Sequence, residues 1–418
     1  MLSVRLGAVF WVLVLITLFS AISSPDSNDT RHGVVTQTIF EGIQRYRSEA
    51  VCGVSVVAAI GVFFHGSRVS LLHLSGVVLC LTGLGVYNGI ITGLHDGIGE
   101  SSKTIVTAVI TVLPLALLLS GAIHESRRFE QAIRPIVVVA VLWVLGVLVQ
   151  LTVSRQALVL GMDARFRGLL GNPQHAAVYL AVSLVTCAWV GLYSQELRWR
   201  IMAVVAGSSC AVLLVWTGSR SGAIMSVIGL GAVFFARVGR LVFFAPVVAI
   251  AAWGMIALLE NLGVSVSADR IVSTENTRAG AWSAMISRGM ESPIVGNGPM
   301  FAGSSENSLL LALSAYGIGS LILQFFVLIA ILVIVLKYVV RRGLLPQSVR
   351  PAGDLSAGVL MMYFFGAQFE GYGVARVSVM TVFLVVFASI LHQVNATANF
   401  GAELDSDSDG EALEPQFE

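Results

Sequence analysis

Long apolar runs, broken by short polar stretches, fill most of the chain. A helix that crosses a bilayer needs about 20 mostly apolar residues, because each one advances 1.5 Å through roughly 30 Å of hydrocarbon. On that scale the runs predict twelve spanning helices, at 4–22, 50–65, 69–93, 104–123, 134–152, 175–193, 200–217, 221–236, 240–259, 307–338, 355–370 and 373–392. The 307–338 run exceeds one crossing and predicts a re-entrant or interfacial turn before the span proper. Polar stretches remain at 23–49, 153–174 and 260–306, and the last separates the ninth and tenth predicted spans.

Composition turns this pattern into a class. Of 418 residues 56% are hydrophobic and 12% charged, about half the charged fraction of an ordinary soluble chain, so the charges cannot cover a soluble surface. The expectation is an all-α, polytopic integral membrane protein over 1–398, with the lipid bilayer as its first partner. The tail 399–418 holds seven acids and no base, and is expected to be disordered in the cytoplasm. Asp405-Ser-Asp407-Ser-Asp409-Gly410 opens like a calcium loop, but Gln416 stands where the bidentate Glu is needed, so it reads as solvated tail. The start, Met1 to Ser24, is laid out much as a cleaved signal peptide would be, but a retained first helix gives the tidier topology and is the expectation.

A net charge of +1 gives no sign of a nucleic-acid partner. Cys52, Cys80, Cys187 and Cys210 all lie in apolar runs and read as small core residues. The seven histidines are scattered, so neither a metal site nor a cofactor is expected. With the N-terminus placed in the cytoplasm, every short inside loop carries its own cation, and the three long polar stretches fall together on the outer face.

The spans hold few ionisable residues. His73, Glu370 and His392 sit near segment ends or stand alone, and read as structural or interfacial rather than as an ion relay. Gly85-x-x-x-Gly89-x-x-x-Gly93, and more briefly Gly218-x-x-x-Gly222, put glycines on one helical face for close helix packing.

Candidate chemistry therefore gathers in the outer segments. Arg165 and Arg167 precede Gly171-Asn172-Pro173, where Asn172 can cap a helix opened by Pro173; arginines beside a helix N-terminus suit phosphate oxygens. Ser219-Arg220 sits in a tight turn between two spans, within reach of a lipid headgroup. From Thr274 to Met290 an amphipathic helix is expected, with Trp282, Met285, Ile286 and Met290 at helical spacing and Arg278 one turn before Trp282. The turn from Pro293 through Gly296 and Gly298 to Pro299 is flexible enough to close a site. Ser304 or Ser305 can cap the next helix, which puts Glu306 in its first turn as a candidate general base.

In this order the segments resemble the O-antigen ligase and O-antigen polymerase family. The resemblance covers about 153–320 and rests on Gly171-Asn172-Pro173, Ser219-Arg220, Arg278-x-x-x-Trp282, Gly296-x-Gly298, Glu306-Asn307 and Tyr316-Gly317-Ile318. It implies a metal-independent membrane glycosyltransferase of the bacterial inner membrane, with its active site facing the periplasm. The donor would be a glycan on undecaprenyl pyrophosphate and the acceptor a hydroxyl of a glycan or of lipid A core. Arg220 and Arg278, helped by Arg165 or Arg167, would hold the pyrophosphate, and Asn307 would help bind substrate. In ligases of this family a histidine typically precedes the Asn; here it is Glu306, with His175 as the fallback base. Two rivals stay open: a peptidoglycan-type polymerase, for which Asp269 would be the outer-loop acid, and a polysaccharide or lipid transporter.

Overall fold

A computed structural model describes residues 2–22, 46–64, 74–126, 129–153, 155–160, 165–170, 172–234, 278–299, 301, 307–371 and 378–410. The described helices are α1 (Leu2–Ser20), α2 (Arg47–Phe64), α3 (Gly76–Asp96), α4 (Ile98–Ser126), α5 (Phe129–Val153), α6 (Pro173–Tyr193), α7 (Leu197–Thr217), α8 (Arg220–Phe234), α9 (Ala279–Glu291), α10 (Ser308–Arg341), α11 (Arg350–Gly366) and α12 (Val379–Gly410). Between α5 and α6 lies a two-residue antiparallel ribbon, β1 (Val159–Leu160) and β2 (Arg165–Phe166), in register Val159 to Phe166. The architecture is all-α, as the apolar runs predict.

Among the described residues seven helices are long and apolar enough to cross a membrane: α3 to α7, α10 and α12. Three shorter apolar stretches, Gly7–Ser20, Glu49–Gly61 and Arg220–Phe234, accompany them. This corrects the expectation of twelve. The described part of α8 holds 15 residues and counts among the shorter stretches, and the end of the expected 221–236 span lies outside the described residues. The 17 residues of α11 begin with Arg350 and include Asp354, so that run is both short and charged. The expected span 240–259 lies outside the described residues. The last helix extends to Gly410, past the point where the acidic tail was expected to begin.

The glycine ladder has the packing role its spacing implies. A Cβ at Gly85 would stand 2.5 Å from that of Ala108, one at Gly89 would collide with Ile105, and one at Gly93 would stand 2.8 Å from Ser101. Those partners all lie on α4, so α4 side chains press against the bare glycine backbone of α3 at three successive turns. Helix α12 is the most enclosed of the seven, and Phe383 on it stacks against Tyr179 of α6 at 6.2 Å between ring centres.

The bundle has two chemically different ends. At one, Arg134 meets Glu130 and Glu196 at 2.8 Å each, and Arg198 meets Glu196 at 2.6 Å. The Trp189 indole donates to the Pro351 carbonyl at 2.7 Å there, and Arg342 pairs with Asp354 close by. These cations lie in or beside the short connections α4–α5, α6–α7 and α10–α11. The opposite end collects Arg165, Arg220 and Arg278. The Arg198 and Arg134 guanidiniums hold the Glu196 carboxyl below its ordinary value.

Gly89→Leu is expected to cost about 1–3 kcal/mol through overpacking against Ile105, whereas Gly83→Ala, with open space around it, should be neutral or slightly stabilising. Thermal unfolding in detergent separates the two. A lowered carboxyl pKa contributes stability that is present above the unfolded value of about 4.5 and is lost as pH falls through the lower folded value. Glu196→Gln should therefore lower the melting temperature at neutral pH and match the native chain at acid pH.

Candidate functional site

Four stretches far apart in sequence meet at one end of the bundle. The first is the ribbon before α6. Phe166 is buried between Trp143 (6.0 Å, edge to face) and Trp216 (5.0 Å, stacked), which fixes β2. Neighbouring residues on a strand face opposite ways, so Arg165 emerges on the other side and its Nε donates to the Thr217 carbonyl at 2.9 Å. Arg167 is buried here at 7% exposure. Asn172 caps α6 by accepting the Gln174 N–H at 2.8 Å, and Pro173 opens the helix, as expected. His175 lies half-buried in that first turn.

The second stretch is the turn from α7 to α8. Gly218 ends α7 in the left-handed region at φ 60°, and α8 starts two residues later. The Ser219 hydroxyl accepts the Gly222 N–H at 3.3 Å and lies 3.0 Å from the Ser221 hydroxyl. Arg220 is half-buried in the first turn of α8.

The third is α9 with its following turn, the described part of the expected outer loop 260–306. It does not stand off from the bundle. Met285 and Gly289 are buried, and Gly289 lets Leu313 of α10 approach to 2.6 Å of where a Cβ would sit. Ile286 and Met290, expected on the apolar face with Trp282 and Met285, are instead exposed at 47% and 69%. The expected cap Thr274 lies outside the described residues; α9 begins at Ala279 with Arg278 at the cap position.

The turn after α9 is anchored rather than loose. Helix α10 breaks at Gly317 (φ 79°), within the 307–338 run. The Asn297 and Gly298 N–H groups donate to the Ser314 and Ala315 carbonyls at 2.9 and 3.0 Å, and the Ile318 N–H donates to the Pro293 carbonyl at 2.7 Å. A Cβ on Gly296 or Gly317 would collide with backbone, and both have positive φ, so only glycine fits either position.

The fourth stretch joins the start of α10 to the end of α11. Asn307 is the N-cap of α10: its Oδ1 accepts from Leu309 and Leu310 N–H at 2.8 and 3.0 Å, and its Nδ2 donates to the Gln368 carbonyl at 2.8 Å. The cap is thus Asn307 rather than the expected Ser304 or Ser305, and the described helix starts at Ser308. Glu306 itself, with Ser304 and Ser305, is outside the described residues.

At the centre stands Glu370, which its sequence position alone marks only as structural or interfacial. It is fully buried, and its Oε1 lies 2.9 Å from Arg278 Nη2 and accepts from Ser221 Oγ at 2.8 Å. Its backbone carbonyl accepts from Ser308 Oγ at 2.6 Å. Arg278 also donates to the Phe369 carbonyl, and its guanidinium lies 5.7 Å from the Phe369 ring centre. So Arg278, Ser221, Ser308 and Glu370 come together, with Asn307 one residue from Ser308 and Arg220 one residue from Ser221. The signal that points to Glu370 is an acid closing an apolar run, since an ionisable group at membrane depth needs a partner.

Among the described residues no group of three or more His, Cys, Asp or Glu side chains is placed to hold a metal. Comparison of the chain with the models of known protein families gives no match, and comparison with the curated proteins gives none either.

Asn307→Ala is expected to lose about 1 kcal/mol from the missing cap and more from the broken tie to Gln368. Asn307→Asp keeps the acceptor and should recover only the cap. Melting temperatures ranked native, Asp, Ala would agree; Asp equal to native would mean the Gln368 tie contributes nothing.

Proposed function

We propose that the chain is an integral-membrane glycosyltransferase of the bacterial inner membrane. It moves a glycan from an undecaprenyl-pyrophosphate donor to an acceptor hydroxyl at the periplasmic face, as a polymerase or ligase of surface polysaccharide. The observation that carries this reading is that Arg278, paired with Glu370 beside Ser221 and Ser308, and Arg165, tied to the Thr217 carbonyl at the turn that leads to Arg220, stand at one end of a bundle of apolar helices. A lipid-linked diphosphate presents its charges at that depth. A cation in every short loop assigned inside favours an outward-facing site.

The chemistry suits these residues. The bond from the anomeric carbon to the diphosphate oxygen breaks, and the diphosphate leaves with the bonding pair. A leaving group of that charge needs cations rather than a proton, and arginine forks match its oxygens in a low-dielectric setting. The acceptor oxygen forms the new bond to carbon and gives up its proton. Glu306, beside the cap residue Asn307, is the base in this reading, and Asn307 a substrate-side amide.

The transporter reading has one observation in its favour, the broken helix α10, because helix breaks often expose backbone groups to a cargo. Here the Ser314 and Ala315 carbonyls are taken by Asn297 and Gly298, which favours a fixed site over a moving path.

The test is the pool of lipid-linked and surface glycan in cells with the native chain, without it, and with Glu306→Gln or Arg278→Ala. Single lipid-linked repeats should accumulate without a polymerase, and long lipid-linked chains without a ligase. Glu306→Gln should lower transfer by about 10²–10⁴-fold while the protein still inserts. An unchanged pool in the cells without the chain would rule out the glycosyltransferase, and full transfer by Glu306→Gln would remove Glu306 as base.

A further inference from the structure

We infer that Glu370 is a built-in counter-anion for Arg278: its carboxylate pairs with the guanidinium that also receives the diphosphate of the donor. The inference rests on the reading of Arg278 as a donor-phosphate contact, and it adds a device for releasing the product diphosphate.

The geometry sets out the two partners unequally. The Glu370 side chain is 1% exposed and the Arg278 side chain 19%, so an anion arriving from outside reaches the arginine but not the acid. Glu370 is fixed from behind. Its Oε1 accepts from Ser221, whose hydroxyl lies 3.0 Å from Ser219, and its carbonyl accepts from Ser308. Arg278 is fixed through its other nitrogen, Nη1, by the Phe369 carbonyl. The two opposite charges are thus in contact, with the arginine on the more exposed side.

Charge sets how strongly that face holds an anion. A guanidinium already neutralised by a carboxylate at 2.9 Å attracts an incoming anion less than a lone one. When the diphosphate binds, its oxygens share the guanidinium with the fixed carboxylate, and when it leaves the carboxylate keeps the arginine paired. The acid lowers affinity for the diphosphate in every state, including the product, and so shortens the time that product occupies the site. A site with arginines alone would bind the leaving group tightly and turn over slowly.

The sign of this effect is its test. Full-length chain in lipid nanodiscs is titrated with inorganic pyrophosphate, for the native protein, Glu370→Gln, Arg278→Ala and the double variant. The expected result is binding about tenfold tighter in Glu370→Gln, near 1.4 kcal/mol, weaker binding in Arg278→Ala, and no tightening when Glu370→Gln is added to Arg278→Ala. In the glycan-transfer assay Glu370→Gln should lower KM and kcat together. Glu370→Gln that binds pyrophosphate equally or less tightly than the native chain, with Arg278→Ala still weakened, would overturn the counter-anion and leave the Arg278 reading standing. Pyrophosphate binding that Arg278→Ala does not weaken would overturn both. Should Glu370→Gln fail to fold, Glu370→Asp keeps the charge and draws it back by one methylene. The same direction is then expected at smaller size, and unchanged or weaker binding would overturn the inference.

Discussion

A carboxylate buried among apolar helices requires a cation beside it, and at this end of the bundle that requirement joins elements from four parts of the chain. Glu370 carries the charge, Arg278 answers it, Ser221 donates its hydroxyl proton to it, and Ser308 holds its backbone. Taking both charges out of water costs several kcal/mol per ion, which the close pairing and the added hydrogen bonds offset. Removing one partner would leave the other uncompensated, so the positions of α8, α9, α10 and the end of α11 depend on one another. The same constraint places a positive group near the mouth of the bundle.

A second constraint works on the backbone. Helix α10 breaks at Gly317, and inside a membrane protein freed peptide groups must find partners within the protein. The 293–298 turn supplies them, and the fit is close enough that neither Gly296 nor Gly317 has room for a Cβ. The turn also fixes the end of α9, and with it the position of Arg278 at the start of that helix. A segment that looks like an independent outer loop in the sequence is therefore part of the bundle's framework. His95, at the end of α3, adds a further link, with Nε2 3.2 Å from the Val295 carbonyl.

How much of this is legible in the sequence depends on how local each cause is. Helix periodicity, the Asn172–Pro173 start of α6 and the α3 glycine ladder are local, and each appears where the residues put it. Span number is less legible, because apolarity alone does not reveal that α11 spends its first turns on Arg350 and Asp354. The cap at Asn307 is hidden because Ser304 and Ser305 are equally good capping residues by type, and only the tertiary tie to Gln368 selects among them. Glu370 is hidden for the same reason: its partner Arg278 lies 92 positions away, beyond any helical or strand period. The arginines themselves are legible as a set, since cations outside the inside-loop pattern need anionic partners.

The proposed chemistry depends on this end of the bundle, rather than the Arg342–Asp354 end, receiving the diphosphate of a lipid-linked donor. Photocrosslinking tests that most directly. A polyprenyl pyrophosphate with a photoreactive group next to its phosphates is added to the full-length chain in nanodiscs, and labelled peptides are identified by mass spectrometry. Label in the peptides that contain Arg220, Arg278 and Glu370, displaced by excess inorganic pyrophosphate, is the expected result. Label confined to peptides that contain Arg342 and Asp354, or label that pyrophosphate does not displace, would contradict it.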